Sequence, residues 1–267
     1  MPNRGSTIDF RRSMIRRRLQ NVKKMLIVLS GKGGVGKSVV SATIAALLGQ
    51  AGFNVGLMDA DVYGPSSAFI LDAHAKPTEG KRGLIPPVAG GIKIMSVDFF
   101  APGKPIPLTG GAARQVILEM LALTDWGRLD YLVVDMPPAT SDIMITLTSL
   151  PRSELSTVVV TMPDRLSLSV AHRVVELLHA GRIPILGVLG NMYRPTHQRT
   201  ISDDDGPKRL AEEFKTTFLG EMPYDVGVRE AVEKGDVNGL LKTTFARTLN
   251  RSVKRHLLEG PHAQRKD

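Results

Sequence analysis

The sequence predicts an α/β fold: a mostly parallel β-sheet with helices on both faces. Three observations predict it. Short apolar runs rich in Val, Ile and Leu recur along the 267 residues, helix-length amphipathic stretches separate them, and the first run leads directly into a Gly-rich segment. Uninterrupted apolar strands alternating with helices are strands buried on both faces, which is how a parallel sheet reads.

Residues 1–24 read as a basic arm with a weak apolar stripe (Ile8, Met14, Ile15, Leu19, Val22), solvated or held by a partner. Residues 25–258 read as one domain and 259–267 as a tail. Strands are expected at Met25–Leu29, Val55–Met58, Ile92–Val97, Tyr131–Val134, Thr157–Thr161 and Ile185–Leu189. Helices are expected at Lys37–Gln50, Arg114–Leu123, Leu166–His179 and Pro207–Phe214. Pro and Gly cluster at 77–91 and 102–111, the signature of loops or an inserted hairpin. From Asn238 to Leu258 a basic amphipathic helix is expected, either docked on the sheet or lying on a membrane surface.

Composition narrows the function classes. A 42% hydrophobic and 23% charged chain is globular, and no run reaches the roughly 18 apolar residues of a membrane span. The apolar run after the basic start is too short for a signal-peptide core, so a cytoplasmic location is expected. The Arg-rich, acid-poor start is also compatible with an organelle transit segment. There is no cysteine, which excludes disulfides, a thiol nucleophile and cluster ligation by thiolates of this chain. The net charge of +9 sits at the ends: residues 1–24 carry +7 and 247–267 carry +4, so 25–246 sum to −2. A body that binds duplex nucleic acid usually carries a basic face of its own; here only the ends could meet nucleic acid or an anionic membrane.

Gly31-Lys32-Gly33-Gly34-Val35-Gly36-Lys37-Ser38 fits G-x-x-x-x-G-K-[ST], after an apolar strand and before a helical pattern. Glycines permit positive φ, so successive N–H groups can converge on one anion, and the helix start adds its positive dipole end. Lys37 is expected to reach the β- and γ-phosphates and the Ser38 hydroxyl to ligate Mg²⁺. Lys32 is a second loop lysine, either an exposed charge or a stabiliser of the γ-phosphate.

Three acids fall at strand ends on the same side as this loop: Asp59, Asp61 and Asp135. Asp135 has the position of a metal-holding aspartate, Asp61 that of a residue orienting the attacking water, and Asp59 that of a support for Lys37 or the metal. A lone Asp after a strand is otherwise a helix cap or turn residue. Met136-Pro137-Pro138-Ala139-Thr140-Ser141-Asp142 then gives a stiff exit, either a γ-phosphate-sensing switch or an ordinary loop.

Together these segments resemble the deviant-Walker-A ATPases (the MinD, ParA and nitrogenase iron-protein class), and within it the Mrp family of iron–sulfur cluster carriers. The resemblance covers about residues 25–240. It rests on Ser30–Ser38, on Asp59-Ala-Asp-Val-Tyr-Gly-Pro-Ser66, on Asp125-Trp-Gly-Arg-Leu-Asp-Tyr-Leu-Val-Val-Asp-Met-Pro-Pro138, on Gly187-Val-Leu-Gly-Asn-Met192 and on Leu219-Gly-Glu-Met-Pro-Tyr-Asp225.

The resemblance implies ATP with Mg²⁺ as ligands and a nucleotide-sandwich homodimer. It assigns Lys32 to the partner's phosphates, the Gly31–Val39 loop to nucleotide contacts, Asp61 to water activation and Asp135 to the metal. It assigns Asn191 to adenine, and Pro223 and Asp225 to the loop closing over the base. Three departures stand out. The family's Cys-x-x-Cys pair is replaced by Tyr193-Arg-Pro-Thr-His-Gln-Arg-Thr-Ile201, with only His197 as a metal-ligand type; Ala139 and Ser141 stand where Gly is usual; and Val39 stands where Thr is common. The expected activity is slow ATP hydrolysis in, or derived from, iron–sulfur cluster assembly or transfer, with a scaffold or apoprotein as partner. The alternative is a nucleotide-switched positioning or regulatory ATPase acting on DNA, membrane or a protein.

Overall fold

The structure is a computed structural model, and it describes residues 4–100, 110–138, 155–194 and 205–259. Eight strands form the central sheet: β1 (Val22–Ser30), β2 (Val55–Asp59), β5 (Val88–Ala89), β6 (Ile92–Ser96), β7 (Leu129–Asp135), β8 (Leu155–Thr161), β9 (Ile185–Tyr193) and β10 (Phe218–Pro223). Their order is β10-β9-β8-β1-β7-β2-β6-β5, and every pairing is parallel except β5 with β6. A separate antiparallel hairpin, β3 (Thr78–Gly80) with β4 (Gly83–Ile85), fills the Pro- and Gly-rich segment.

Alternation along β1 divides the core in two. Met25, Ile27 and Leu29 face a layer built from α1 (Arg4–Leu19), α4 (Gly110–Leu123), α5 (Arg165–Ala180) and α6 (Gly206–Glu213). Leu26 and Val28 face the other layer, made by α2 (Lys37–Gln50), α3 (Ser67–Ile70), α7 (Val226–Glu233), α8 (Val237–Lys242) and α9 (Thr244–Val253). Successive side chains of a strand point to opposite faces, so the unbroken apolar run Met25–Leu29 of β1 needs both layers. Among the described residues no helix is long and apolar enough to cross a membrane.

The expected free arm is instead part of the fold. Residues 4–19 form a helix whose Ile15 and Leu19 are buried in the core, while Arg11 bonds Gln115 and Glu119 and the Arg18 Nε donates to the Ala122 carbonyl at 3.0 Å. Burying one such aliphatic side chain is worth about 1.5–3 kcal/mol, which outweighs the charge that made the segment look solvated. The first strand accordingly starts at Val22 rather than Met25.

The expected single C-terminal helix is two. Thr243 has extended φ/ψ (−66°, 159°) and its hydroxyl accepts from the Ala246 N–H, so it ends α8 and caps α9. Leu240, Phe245, Leu249, Val253 and Leu257 are buried against the sheet. Their stripe therefore faces the core, as in the docked alternative. Ala139, Ser141, His197 and the tail beyond 259 lie outside the described residues.

Candidate nucleotide site

β1 is central, and the loop after it (31–36) leads into α2, so backbone N–H groups and the helix start converge at the C-terminal edge of the sheet. Gly34 and Gly36 have φ of 80° and 81°, a region that only glycine enters without strain. A Cβ on Gly36 would collide with the Asn191 amide, and one on Gly31 would lie 2.8 Å from the Val170 backbone. A Cβ on Gly33 or Gly34 would meet nothing within 4 Å. The loop is therefore packed from behind and open in front. A cleft of about 390 Å³ lies there, lined by Lys32, Lys37, Ser38, Val39 and Asp61 together with Phe69 and Val232.

Lys37 is 6% exposed, and its ammonium lies 2.7 Å from Asp135 Oδ1 and 3.7 Å from Asp61 Oδ2. Asp135 Oδ1 also accepts from Ser41 Oγ at 2.9 Å. The ammonium is 3.4 Å from Ser38 Oγ, so Lys37, Ser38, Asp61 and Asp135, four of the groups expected at the phosphates and metal, are brought together.

Asp59 is fully buried, and both its oxygens are engaged by loop N–H groups: Asp61 at 3.2 Å on Oδ1, Ser66 and Ser67 at 2.9 Å on Oδ2. Burial, and then the charge of neighbouring Asp135, push its carboxyl up to about 7. Its geometry is that of the capping alternative: it holds the loop carrying Asp61.

Lys32 is half-buried and its charge acts on Asp164, the N-cap of α5. Burial works to raise the Asp164 carboxyl, but hydrogen bonds from Ser167 and the Lys32 charge outweigh it, and it sits below the usual carboxylate range. Asn191 is buried with its amide donating to the Val35 carbonyl at 2.8 Å, so it braces the phosphate loop. Pro223 ends β10 beside Tyr193, and Asp225 accepts from the Gly227 and Phe245 N–H groups at 2.9 and 3.1 Å. Asp225 thus joins α7 to α9, and neither it nor Pro223 lines the cleft. Sequence reasoning did not single out Ser41 and Ser67, both fully buried on Asp135; serine carries no periodic or compositional signal.

The residues present fit a magnesium nucleotide. The loop offers a glycine cradle open in front, a buried ammonium and a hydroxyl at its base. Among the described residues no cluster of three His, Asp or Glu forms a metal site. Mg²⁺ needs no such cage, since it takes one or two protein ligands with water and phosphate oxygens.

Residues 21–256 match the family described as ParA: NUBPL iron-transfer P-loop NTPase. The chain is 36% identical over 218 residues to the iron–sulfur cluster carrier protein of Rickettsia conorii and 37% over 231 residues to that of Aquifex aeolicus. These alignments cover 81% and 83% of this chain but 66% and 63% of those proteins, so it spans slightly less than two thirds of their length. The iron–sulfur cluster carrier protein of Methanocaldococcus jannaschii is 33% identical, over 90% of this chain and 86% of its own.

Among solved structures, a nucleotide-binding protein from Archaeoglobus fulgidus in complex with ADP superposes with a TM-score of 0.71 at 28% identity, over 85% of this chain and 92% of the other. The septum site-determining protein MinD of Pyrococcus horikoshii, complexed with Mg-ADP, shares the fold at a TM-score of 0.66 and 18% identity, over 91% and 99%. With its central phosphate loop, its strand-end acids and a match over 21–256, the chain belongs to the NUBPL iron-transfer family of ParA-type P-loop NTPases.

Proposed function

We propose that this protein binds Mg·ATP between two copies of itself and hydrolyses it slowly, in iron–sulfur cluster assembly or transfer, without ligating the cluster through cysteines of its own. The observation that carries the nucleotide reading is the buried Lys37 ammonium between Asp135 and Asp61 at the mouth of a glycine loop. Such an ammonium can exchange its carboxylates for phosphate oxygens, and the loop N–H groups can hold the β-phosphate.

Ser38 and Asp135 would hold the metal, directly or through water, with Asp59 as their buried neighbour. Mg²⁺, when bound, neutralises charge on the phosphate oxygens. Asp61, 15% exposed beside the cleft, is the group that orients a water. Lys32 would serve the partner copy's phosphates, and the base would extend past the described cleft toward Asn191, Pro223 and Asp225, none of which lines it. The work is positioning plus charge stabilisation.

The iron–sulfur role is supported by the family and by the relatives' names. Since the 267 residues hold no cysteine, a scaffold or apoprotein client would supply the ligands. Turnover and ATP-dependent dimerisation of Lys32→Ala and Lys37→Ala test the nucleotide reading; unchanged behaviour in both refutes it. Anaerobic reconstitution with iron and sulfide is expected to give no stable cluster, and a stoichiometric [4Fe–4S] spectrum refutes that part.

A positioning ATPase on DNA or anionic lipid is the second reading, favoured by the exposed Arg12, Arg16 and Arg17 on docked α1. Salt- and ATP-dependent co-sedimentation with either polymer supports it, and binding to neither removes it.

A further inference from the structure

Asp59 ends β2 and Asp135 ends β7, and the two pair in register, fully buried. Adjacent buried carboxyl groups are costly unless donors surround them. Many of those donors come from one stretch, 61–67. The Asp61 N–H donates to Asp59 Oδ1, and the Ser66 and Ser67 N–H groups donate to Oδ2. The stretch is thus fastened at both ends to one carboxylate.

Ser67 makes a further attachment. Its hydroxyl donates to Asp135 Oδ2 at 3.3 Å, while Asp135 Oδ1 holds the Lys37 ammonium. Ser67 is fully buried and bonded to both carboxyl groups. Asp61, six residues earlier, has Oδ2 3.7 Å from that same ammonium.

We propose that Ser67 is a positioning residue for ATP hydrolysis: its hydroxyl ties the Asp61 stretch to Asp135 and so fixes the Asp61 carboxylate relative to the phosphate loop. This rests on the ATPase reading above. Two roles of one residue separate cleanly. The main-chain N–H that caps Asp59 survives any substitution but proline, whereas the bond to Asp135 needs a hydroxyl. Ser41 provides the control, because it also donates to Asp135 (2.9 Å) but sits on α2, away from the Asp61 stretch.

The test compares steady-state hydrolysis and equilibrium binding of a fluorescent ATP analogue in the parent protein, Ser67→Ala, Ser67→Thr and Ser41→Ala. Ser67→Ala is expected to lower kcat by about 10- to 100-fold with the nucleotide Kd within about threefold. Ser67→Thr is expected to restore kcat to within about threefold of the parent, and Ser41→Ala to remain well above Ser67→Ala. A kcat for Ser67→Ala near that of the parent, an equal loss in Ser41→Ala, or a loss confined to KM overturns the proposal. Should Ser67→Ala not fold, Ser67→Cys keeps the volume with a weaker donor, and a smaller kcat loss is then expected. A parent that neither binds nor hydrolyses ATP overturns the ATPase reading itself and this inference with it.

Discussion

The Lys37 ammonium and the Asp135 carboxylate form a buried ion pair, 6% and 0% exposed, with 2.7 Å between Nζ and Oδ1. Breaking such a pair from one side leaves an uncompensated buried charge. Lys37→Met is therefore expected to abolish nucleotide binding and also to destabilise the protein by about 3–5 kcal/mol. The double variant Lys37→Met with Asp135→Asn is expected to recover part of that stability and none of the binding. Chemical denaturation beside nucleotide titration checks both.

Gly36→Ala imposes a φ of +81° on an alanine and drives its methyl into the Asn191 amide. The backbone strain alone is of order 1–3 kcal/mol. The expected result is at least about a tenfold loss of nucleotide affinity. Adding Asn191→Ala removes the collision but not the strain, so affinity is expected to return in part only, measured by isothermal titration.

Ile15→Ala is expected to cost about 2–5 kcal/mol, because Ile15 is 1% exposed within α1. Arg12→Ala on the exposed side of the same helix is expected to stay within about 0.5 kcal/mol. Equal, negligible effects would mean that α1 does not dock.

Asp130 is held below the usual carboxylate range, first by the Lys23 ammonium at 2.8 Å and then by the Asn54 N–H at 2.9 Å. A carboxyl group with a lowered native pKa stabilises the fold once it is ionised in both states, and that contribution fades as acid protonates it. Asp130→Asn is therefore expected to lose less than about 1 kcal/mol at neutral pH, since Lys23 is largely exposed. The difference is expected to shrink below about pH 4. Thermal unfolding across pH 2–7, on the order of the carboxylate range, reads it.

Thr243→Val keeps the shape of the α8–α9 break and removes the hydroxyl that accepts from Ala246 and donates to the Leu240 carbonyl at 2.7 Å. A loss of about 0.5–2 kcal/mol is expected, measured by denaturant midpoint.

Periodicity made the sheet legible, because β1, β7 and β8 carry unbroken apolar runs (25–29, 131–134 and 158–160) and a run of that kind is buried on both faces. The phosphate loop was legible because its chemistry demands particular residues at fixed spacing. The docking of α1 was not: its arginines dominate the composition, while Ile15 and Leu19 are a four-residue pair that signals burial only once α4 lies beside it. The α8–α9 break was hidden because Thr243 interrupts no apolar stripe and its dihedral angles follow from local capping. Asp59 and Ser67 meet locally, eight residues apart, but Asp135 is distant in sequence and joins them only through the pairing of β2 with β7.

That meeting has a consequence for how ligands load. Two carboxylates, Asp61 and Asp135, flank one buried ammonium, and the buried Asp59 lies in register beside Asp135. A polyphosphate arriving alone would bring more negative charge to a neighbourhood already short of positive charge, whereas a divalent cation relieves both. On the Mg·ATP reading proposed above, metal and nucleotide would reinforce each other's affinity by the same factor, and a chelator is expected to lower nucleotide occupancy.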